Sequence, residues 1–579
     1  MRRLLRFARR YMTPYLHWYA LGIVLLFITN WLSVTIPLYI GDAVDILRHG
    51  SDPEGAIPGI ALTVAGMGLL IILVRTGSRV LFFTPGRLVE SAVKHDLFVR
   101  LLAQQPGFHQ KWPAGDLISR MTSDVNFLRL LGGFVALSVV NSTVAITLTF
   151  GQMIRISPWL ALCVLGPILL GMGVVQLFIQ RMFLLVRRMQ GELASLSDHI
   201  LSSYQNVATI KGFNAEPAFM GTFDGLNATY LGTSRERADM RAAIGPTMAL
   251  SASANVFVLL YVGGPMAIEG TLSVGELVAF TSLLGYISGP LRGLSFLVSS
   301  AKQAQAALER VDAVMDPVPE RPDLPEPVLA PTRPPRIEVR GLTFAYPDEP
   351  ETDVLTDISF SLEAGQTLGI LGATGSGKTT LLRCLARLFN PPEETVFVDG
   401  LCIRTIDLDG WRRSLAQVPQ RAFLFSESLK DNILLGQPDD GRLEAVLTMT
   451  AMDVDIAALP DGVQTEVGEA GVMLSGGQRQ RSALARGLVR EPAMLILDDV
   501  LSAVDHETEA ELITALKGRG VVPTTVIVAN RISALQHADR IIVLEQGRLI
   551  AQGTHQELCE VDGPYRDTWL RQREGAEAS

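Results

Sequence analysis

Six apolar runs fill about half of the first 300 positions of the chain, at 19–40, 57–83, 130–154, 159–183, 246–268 and 274–300. Each is long enough to cross a bilayer, which takes about 20 residues of helix. Hydrocarbon offers no partner to a backbone N–H or C=O, so such segments must satisfy their own backbone, and the helix is what remains open to them. The chain has 579 residues, 48% of them apolar, and the apolar excess lies in this first part, which excludes a single soluble domain.

Charge orients the runs. The connections 41–56, 155–158 and 269–273 are short and carry mostly acids or a single charge, whereas 85–129 and 184–245 are long and rich in Arg and Lys. The positive-inside rule predicts that the two long segments and both termini are cytoplasmic. Those segments are too regular for loops and are expected as helical extensions of the spans. A glycine turn followed by an amphipathic stretch at 115–125 predicts a short helix that docks on another domain, and 214–220 offers a similar break with an aromatic. At the N-terminus Arg2, Arg3, Arg6, Arg9 and Arg10 alternate with Leu4, Leu5, Phe7 and Ala8, which predicts an interfacial helix; no small-residue cleavage site follows a short apolar core.

Polar groups lie within the runs: Asn30, Ser33, Asn141, Ser142, Thr143, Thr147, Gln176, Gln180, Ser253 and Asn255. At membrane depth they face the bundle or a wet cavity, which suits an amphipathic cargo and equally suits hydrogen bonds between helices. Arg75 and Arg79, four apart on one helix face, either flank an inner-leaflet entrance or snorkel and pair with acids. The net charge of −9, without a basic stretch interleaved with aromatics, argues against a nucleic-acid partner. Cys163, Cys384, Cys402 and Cys559 stand far apart with no C-x-x-C spacing, so neither a disulfide framework nor a cysteine metal site is expected.

After a membrane domain at 1–315, a proline-dense stretch at 316–335 predicts a semi-rigid linker, 336–570 an α/β domain and 571–579 a polar tail. In the α/β part, residues 372–379 read G-x-x-x-x-G-K-T between an apolar run and a helical one, the context a phosphate loop requires. Gly372, Gly375 and Gly377 let the backbone around Thr374 and Ser376 converge on phosphates. Lys378 supplies a point charge, the Thr379 hydroxyl a Mg²⁺ ligand, and Thr380 lies in the helix whose positive end faces the anion. The cofactors implied are ATP and Mg²⁺. Further on, Leu474-Ser475-Gly476-Gly477-Gln478 precedes a helical run and an apolar strand that ends in Asp498.

These motifs at these distances resemble the ATP-binding-cassette family: the pentapeptide its signature motif, the strand its Walker B segment, and six spans ahead of one cassette an exporter half-transporter. The resemblance covers the whole chain and implies an α-helical six-span membrane domain fused to an α/β P-loop nucleotide-binding domain. It implies that Tyr346 stacks on adenine, that Gln420 joins Mg²⁺ and links the nucleotide to the docking helices, and that Asp498 binds Mg²⁺. Ser475, Gly476, Gly477 and Gln478 would cover the ATP of a partner cassette, 502–505 would cross to that partner, and 465–469 would sense its docking helix.

Two positions depart from the family pattern. Asp499 stands where a catalytic glutamate is expected, and Asn530 where the family has a switch histidine. A carboxylate one methylene shorter is drawn back by more than about 1 Å, which can cost roughly 100-fold in rate. Asparagine can hydrogen-bond but cannot exchange a proton near neutral pH. The chain thus resembles the degenerate-site subunit of heterodimeric bacterial multidrug exporters. That likeness implies a multi-pass protein of a bacterial inner membrane with a cytoplasmic cassette, pairing with a second half-transporter (a homodimer being the other arrangement) and exporting hydrophobic or amphipathic molecules. A lipid flippase uses the same machinery, and an ATP-gated channel or sensor is a third class.

Overall fold

The computed structural model of the chain describes residues 2–49, 53–317, 328–468, 472–500 and 522–577. The chain divides into two compact units, residues 1–102 with 114–317, and residues 103–113 with 318–579. Positions 318–327 of the expected linker and the expected crossing loop 502–505 lie outside the described residues.

The first unit is helical. Its elements are α1 (Arg2–Phe7), α2 (Leu16–His49) and α3 (Pro53–Leu102); after α4 (Pro106–Lys111), which belongs to the second unit, come α5 (Ala114–Ser119), α6 (Val125–Leu130) and α7 (Ala136–Ile156). The unit closes with α8 (Pro158–Gln205), α9 (Val207–Gly212), α10 (Glu216–Ile268) and α11 (Val274–Met315). Among the described residues five stretches are long and apolar enough to cross a membrane: Arg3–Arg48, Glu54–Leu102, Ala114–Ile156, Pro158–Gln205 and Glu216–Ile268. The sixth expected span falls on α11, whose apolar part is Val274–Ile287. With 50 residues, α3 is about 75 Å long at 1.5 Å per residue, over twice the hydrocarbon thickness, so the helices continue well beyond the spans.

The turns at the span ends are written locally. Ser273 caps α11: its Oγ accepts from Glu276 N at 2.8 Å while Glu276 Oε2 accepts from Ser273 N at 2.7 Å. Ser157 Oγ accepts from Leu160 N at 3.3 Å, with Pro158 opening α8. Within the bundle Asn30 ties three helices. Its Nδ2 donates to Asn141 Oδ1 at 3.0 Å and to Leu26 O at 2.8 Å, and its Oδ1 accepts from Tyr286 at 2.7 Å. Asn30 and Asn141 therefore join helix to helix.

The N-terminal helix is held by protein acids: Arg10 pairs with Asp96 at 2.6 Å, Tyr11 OH donates to Asp96 Oδ2 at 2.8 Å, and Arg3 lies 4.0 Å from Asp312. The docking helix expected at 115–125 is placed differently. That stretch stays in the membrane unit, where buried Asp124 accepts from Arg310 of α11 at 2.8 Å. The segment that packs with the cassette is 103–113: Lys111 forms an ion pair with Asp348, and a Cβ on Gly107 would sit 3.2 Å from Phe389. What marks 115–125 is a buried carboxylate, Asp124, whose partner is 186 residues away. At the second expected break, α9 precedes a turn in which Asn214 takes φ +52°, and Phe213 is 82% exposed.

Among the described residues the second unit holds two main sheets and a short pair of strands. Strands β1 (Ile337–Ala345), β2 (Asp353–Leu362), β3 (Thr367–Gly372), β4 (Val396–Val398), β5 (Leu401–Cys402) and β6 (Leu415–Val418) precede the short antiparallel pair β7 (Glu427–Ser428) and β8 (Glu466–Val467). Then come β9 (Met494–Asp498), β10 (Thr524–Val528), β11 (Arg540–Glu545) and β12 (Arg548–Gly553). An antiparallel sheet runs β2-β1-β4-β5, and a six-stranded sheet runs β12-β11-β3-β10-β9-β6, parallel except for β12. Every residue of β9 and β10 is buried, as befits parallel strands covered on both faces. Register sets Val528 beside Asp498 and beside Ile370, so the carboxyl ends of β3, β10 and β9 open at one level, where ligands of open α/β sheets bind. Where a polar tail is expected from 571, the helix Pro564–Glu577 runs on, and Gln572 is bonded into the domain.

Candidate nucleotide site

The phosphate loop leaves β3 at Gly372 and enters α12 (Lys378–Leu385). Two glycines are sterically required. A Cβ on Gly372 would lie 2.4 Å from Leu544 O, and Gly377, at φ +97°, would bring one to 2.7 Å from Leu355 Cδ2. Lys378 Nζ donates to Gly372 O at 2.6 Å and to Ala373 O at 2.9 Å. Burial lowers its ammonium below the usual lysine range, while Asp499 and Asp498 act the other way. The Ser376 hydroxyl is buried with no hydrogen-bond partner among the described residues, a polar group that a phosphate oxygen in the loop would satisfy.

Thr379 Oγ1 donates to Asp498 Oδ2 at 3.2 Å. Asp498 is 6% exposed, and burial raises its carboxyl above the ordinary range against the pull of Thr379. One carboxylate with a hydroxyl fits Mg²⁺, which takes few protein oxygens and completes its shell with phosphate and water. Among the described residues no group of three His, Cys, Asp or Glu could hold a metal alone.

Asp499, 7% exposed and at φ +52°, anchors its own N–H on Val528 O at 2.9 Å. Its Oδ2 accepts from Gln420 Nε2 and from Asn530 Nδ2, each at 3.1 Å. The two departures from the family pattern thus touch each other, and Gln420 shares the same carboxylate oxygen. Tyr346 is held at its hydroxyl by Thr380 at 2.9 Å and Arg383 at 3.3 Å, with Phe389 edge-on at 5.1 Å between centroids.

The pentapeptide stands apart from this group in its bonding. Ser475 caps the helix Gly476–Leu488, accepting from Gln478 N at 3.2 Å while Gln478 Oε1 accepts from Ser475 N at 2.8 Å. Gln478 Nε2 donates to Asp455 at 3.0 Å, and nothing lies within 4 Å of where a Gly476 Cβ would be. A link back runs through Gln480, whose Nε2 donates to Gln420 O at 3.0 Å. Thr465 is buried at the start of the expected sensing segment, and Glu469 lies outside the described residues.

Comparison with known proteins decides the family. The model for the ABC transporter transmembrane region matches residues 19–291, and the ABC transporter model matches residues 355–502. A probable multidrug resistance ABC transporter ATP-binding/permease protein of Bacillus subtilis (strain 168), YheI, is 33% identical over 559 residues, covering 96% of this chain and 95% of that one. The chain belongs to the ABC transporter family.

Other members bracket it. The multidrug resistance-like ATP-binding protein MdlA of Escherichia coli (strain K12) is 32% identical, with 95% and 94% of the two chains covered. An ATP-dependent lipid A-core flippase of Bordetella avium (strain 197N) is 29% identical, with 95% and 93% covered. The solved structure of a bacterial Atm1-family ABC exporter with ATP bound superposes with a TM-score of 0.78 at 25% identity, covering 98% of this chain and 99% of that one. This ABC transporter is an ATP-driven exporter with a helical transmembrane domain fused to an ABC ATPase domain. Two residues of its site are invisible in the motifs: Gln572 donates to Asn530 O at 2.8 Å and accepts from Ile532 N at 2.9 Å, and Arg383 reaches Tyr346. Neither carries a sequence signal, since both depend on residues 42 and 37 positions apart.

Proposed function

We propose that this chain is a subunit of a multidrug-type exporter that moves hydrophobic or amphipathic compounds out of the cytoplasm or inner leaflet of a bacterial inner membrane, with cassette and termini cytoplasmic. Its own ATP site is hydrolytically impaired, and it pairs with a second half-transporter whose active site this chain's Ser475, Gly476, Gly477 and Gln478 complete. The observation that carries this reading is the engagement of Asp499 Oδ2 by two neutral amides, Gln420 and Asn530.

Bound Mg²⁺–ATP would supply the transferable γ-phosphoryl group and the charge that the loop neutralises. Lys378 and the loop backbone would hold phosphate, Thr379 and Asp498 with Gln420 would hold the metal, and Tyr346 would take the base. To polarise an attacking water, a carboxylate needs reach; Asp499 is one methylene short of a glutamate, and its Oδ2 accepts from two amides. Asn530 stays neutral and cannot relay a proton. The site therefore holds nucleotide well and cleaves it slowly.

ATPase rates of the chain purified alone, before and after D499E with N530H, test this. The double variant is expected to be roughly 100-fold faster. Equal rates would sink the degenerate-site reading. The likeness to lipid A-core flippases supports a second cargo class; export into liposomes of labelled lipid without added drug would favour it.

A further inference from the structure

The membrane unit contains a cavity of about 530 Å³ lined by α8, α10 and α11. Its position follows from a tight contact between two of them. Ser251 Oγ of α10 donates to Pro167 O of α8 at 2.8 Å, and a Cβ on Gly171 would stand 2.4 Å from that hydroxyl oxygen. One helical turn beyond Ser251, on the same face, is Asn255. It lines the cavity, is 7% exposed, and its Oδ1 is buried with no hydrogen-bond partner among the described residues. An unmet acceptor at this depth is costly unless something occupies the space before it.

The rest of the lining limits what that is. No Asp, Glu, Lys, Arg or His borders the cavity among the described residues, so a charged group would enter without a counter-ion. Met172 and Met248 face in, side chains that adapt to varied apolar shapes. A volume of about 530 Å³ is within the range of small-molecule sites. We infer that this cavity binds compact, uncharged amphipaths bearing a hydrogen-bond donor, with Asn255 Oδ1 as the acceptor. The inference deepens the exporter reading, on which it rests for calling the occupant cargo.

The full-length protein in lipid nanodiscs tests it with two photoreactive probes, 4-(hydroxymethyl)benzophenone and its methyl ether. They differ in the donor, and the ether partitions more strongly into lipid, so partition alone biases against the expected result. Peptides carrying Met172 or Met248 are expected to be labelled about tenfold more by the alcohol, the effect of one buried hydrogen bond. N255L is expected to bring alcohol labelling down to the ether level. Equal labelling of the wild-type protein by the two probes overturns the proposal, and so does a preference that survives N255L. Should N255L not fold, the probe pair on the wild-type protein still decides. Labelling needs neither ATP nor transport. Lost preference with intact ATP-driven export removes the site and leaves the exporter; preference without export does the reverse.

Discussion

Asp499 and Asn530 are read most simply as a matched pair: a shortened carboxylate at φ +52° and a neutral amide that donates to it at 3.1 Å. Gln572 fixes the backbone on which Asn530 stands, so its role is positioning. In the D499E with N530H background, Q572A is expected to lower kcat about fivefold with KM little changed, the cost of a lost hydrogen bond at one remove. Q572E keeps the acceptor for Ile532 N and should fall between; an equal loss in KM would mean a merely structural role. Asp498 gives a prediction with pH. Burial raises its folded-state carboxyl, so its charged form destabilises the nucleotide-free fold above that raised value, and the penalty disappears as pH falls through it. D498N should therefore raise the unfolding temperature by about 2 °C at pH 7, with the gap closing on acidification, while Mg²⁺-dependent nucleotide binding is lost. Such residues were legible in sequence because the phosphate loop and the strand ending in Asp498 are local words. The convergence of Gln420 and Asn530 on one oxygen was not, because their separations from Asp499, 79 and 31 residues, are set by strand order.

At the scale of elements, hydrophobic length announced the spans but not which of the stretches between them stays with the bundle. Chain leaving hydrocarbon can stay helical or stop, and long-range pairs such as Asp124 with Arg310 decide which stretch stays with the bundle. That is why 115–125 and 103–113 part company. Close helix crossings are equally silent in the pattern. Gly41 of α2 and Gly275 of α11 meet so tightly that a Cβ on Gly275 would lie 2.1 Å from Gly41 O, and Asp45 Oδ1 accepts from Gly275 N at 2.7 Å. Backbone cannot yield as a side-chain tip can. G275A is expected to destabilise by about 3 kcal/mol or more, whereas G173A, whose added carbon meets nothing within 4 Å, should leave thermal unfolding unchanged. Size-exclusion thermostability of the two variants checks the contrast; similar melting would show that α2 and α11 do not cross at these glycines.

For the whole molecule, the decisive issue is which ATP each motif serves. Lys378 belongs to this chain's own phosphate loop, while Ser475 caps the helix Gly476–Leu488 and its bonds are local. If the chain works beside a partner with a complete glutamate and histidine, the two residues serve different nucleotides. K378A should then leave steady-state turnover of the heterodimer within about threefold, because the slow site is occupied more than it is cycled. S475R should cut turnover by roughly 100-fold, the scale of losing donors that stabilise a transferring phosphoryl group. In a homodimer every site contains both residues and the two variants must fail alike. ATPase measurements on the co-purified pair, with each substitution made in this chain alone, separate the cases. Equal, severe losses would return the chain to a symmetric exporter in which Asp499 itself performs the hydrolysis.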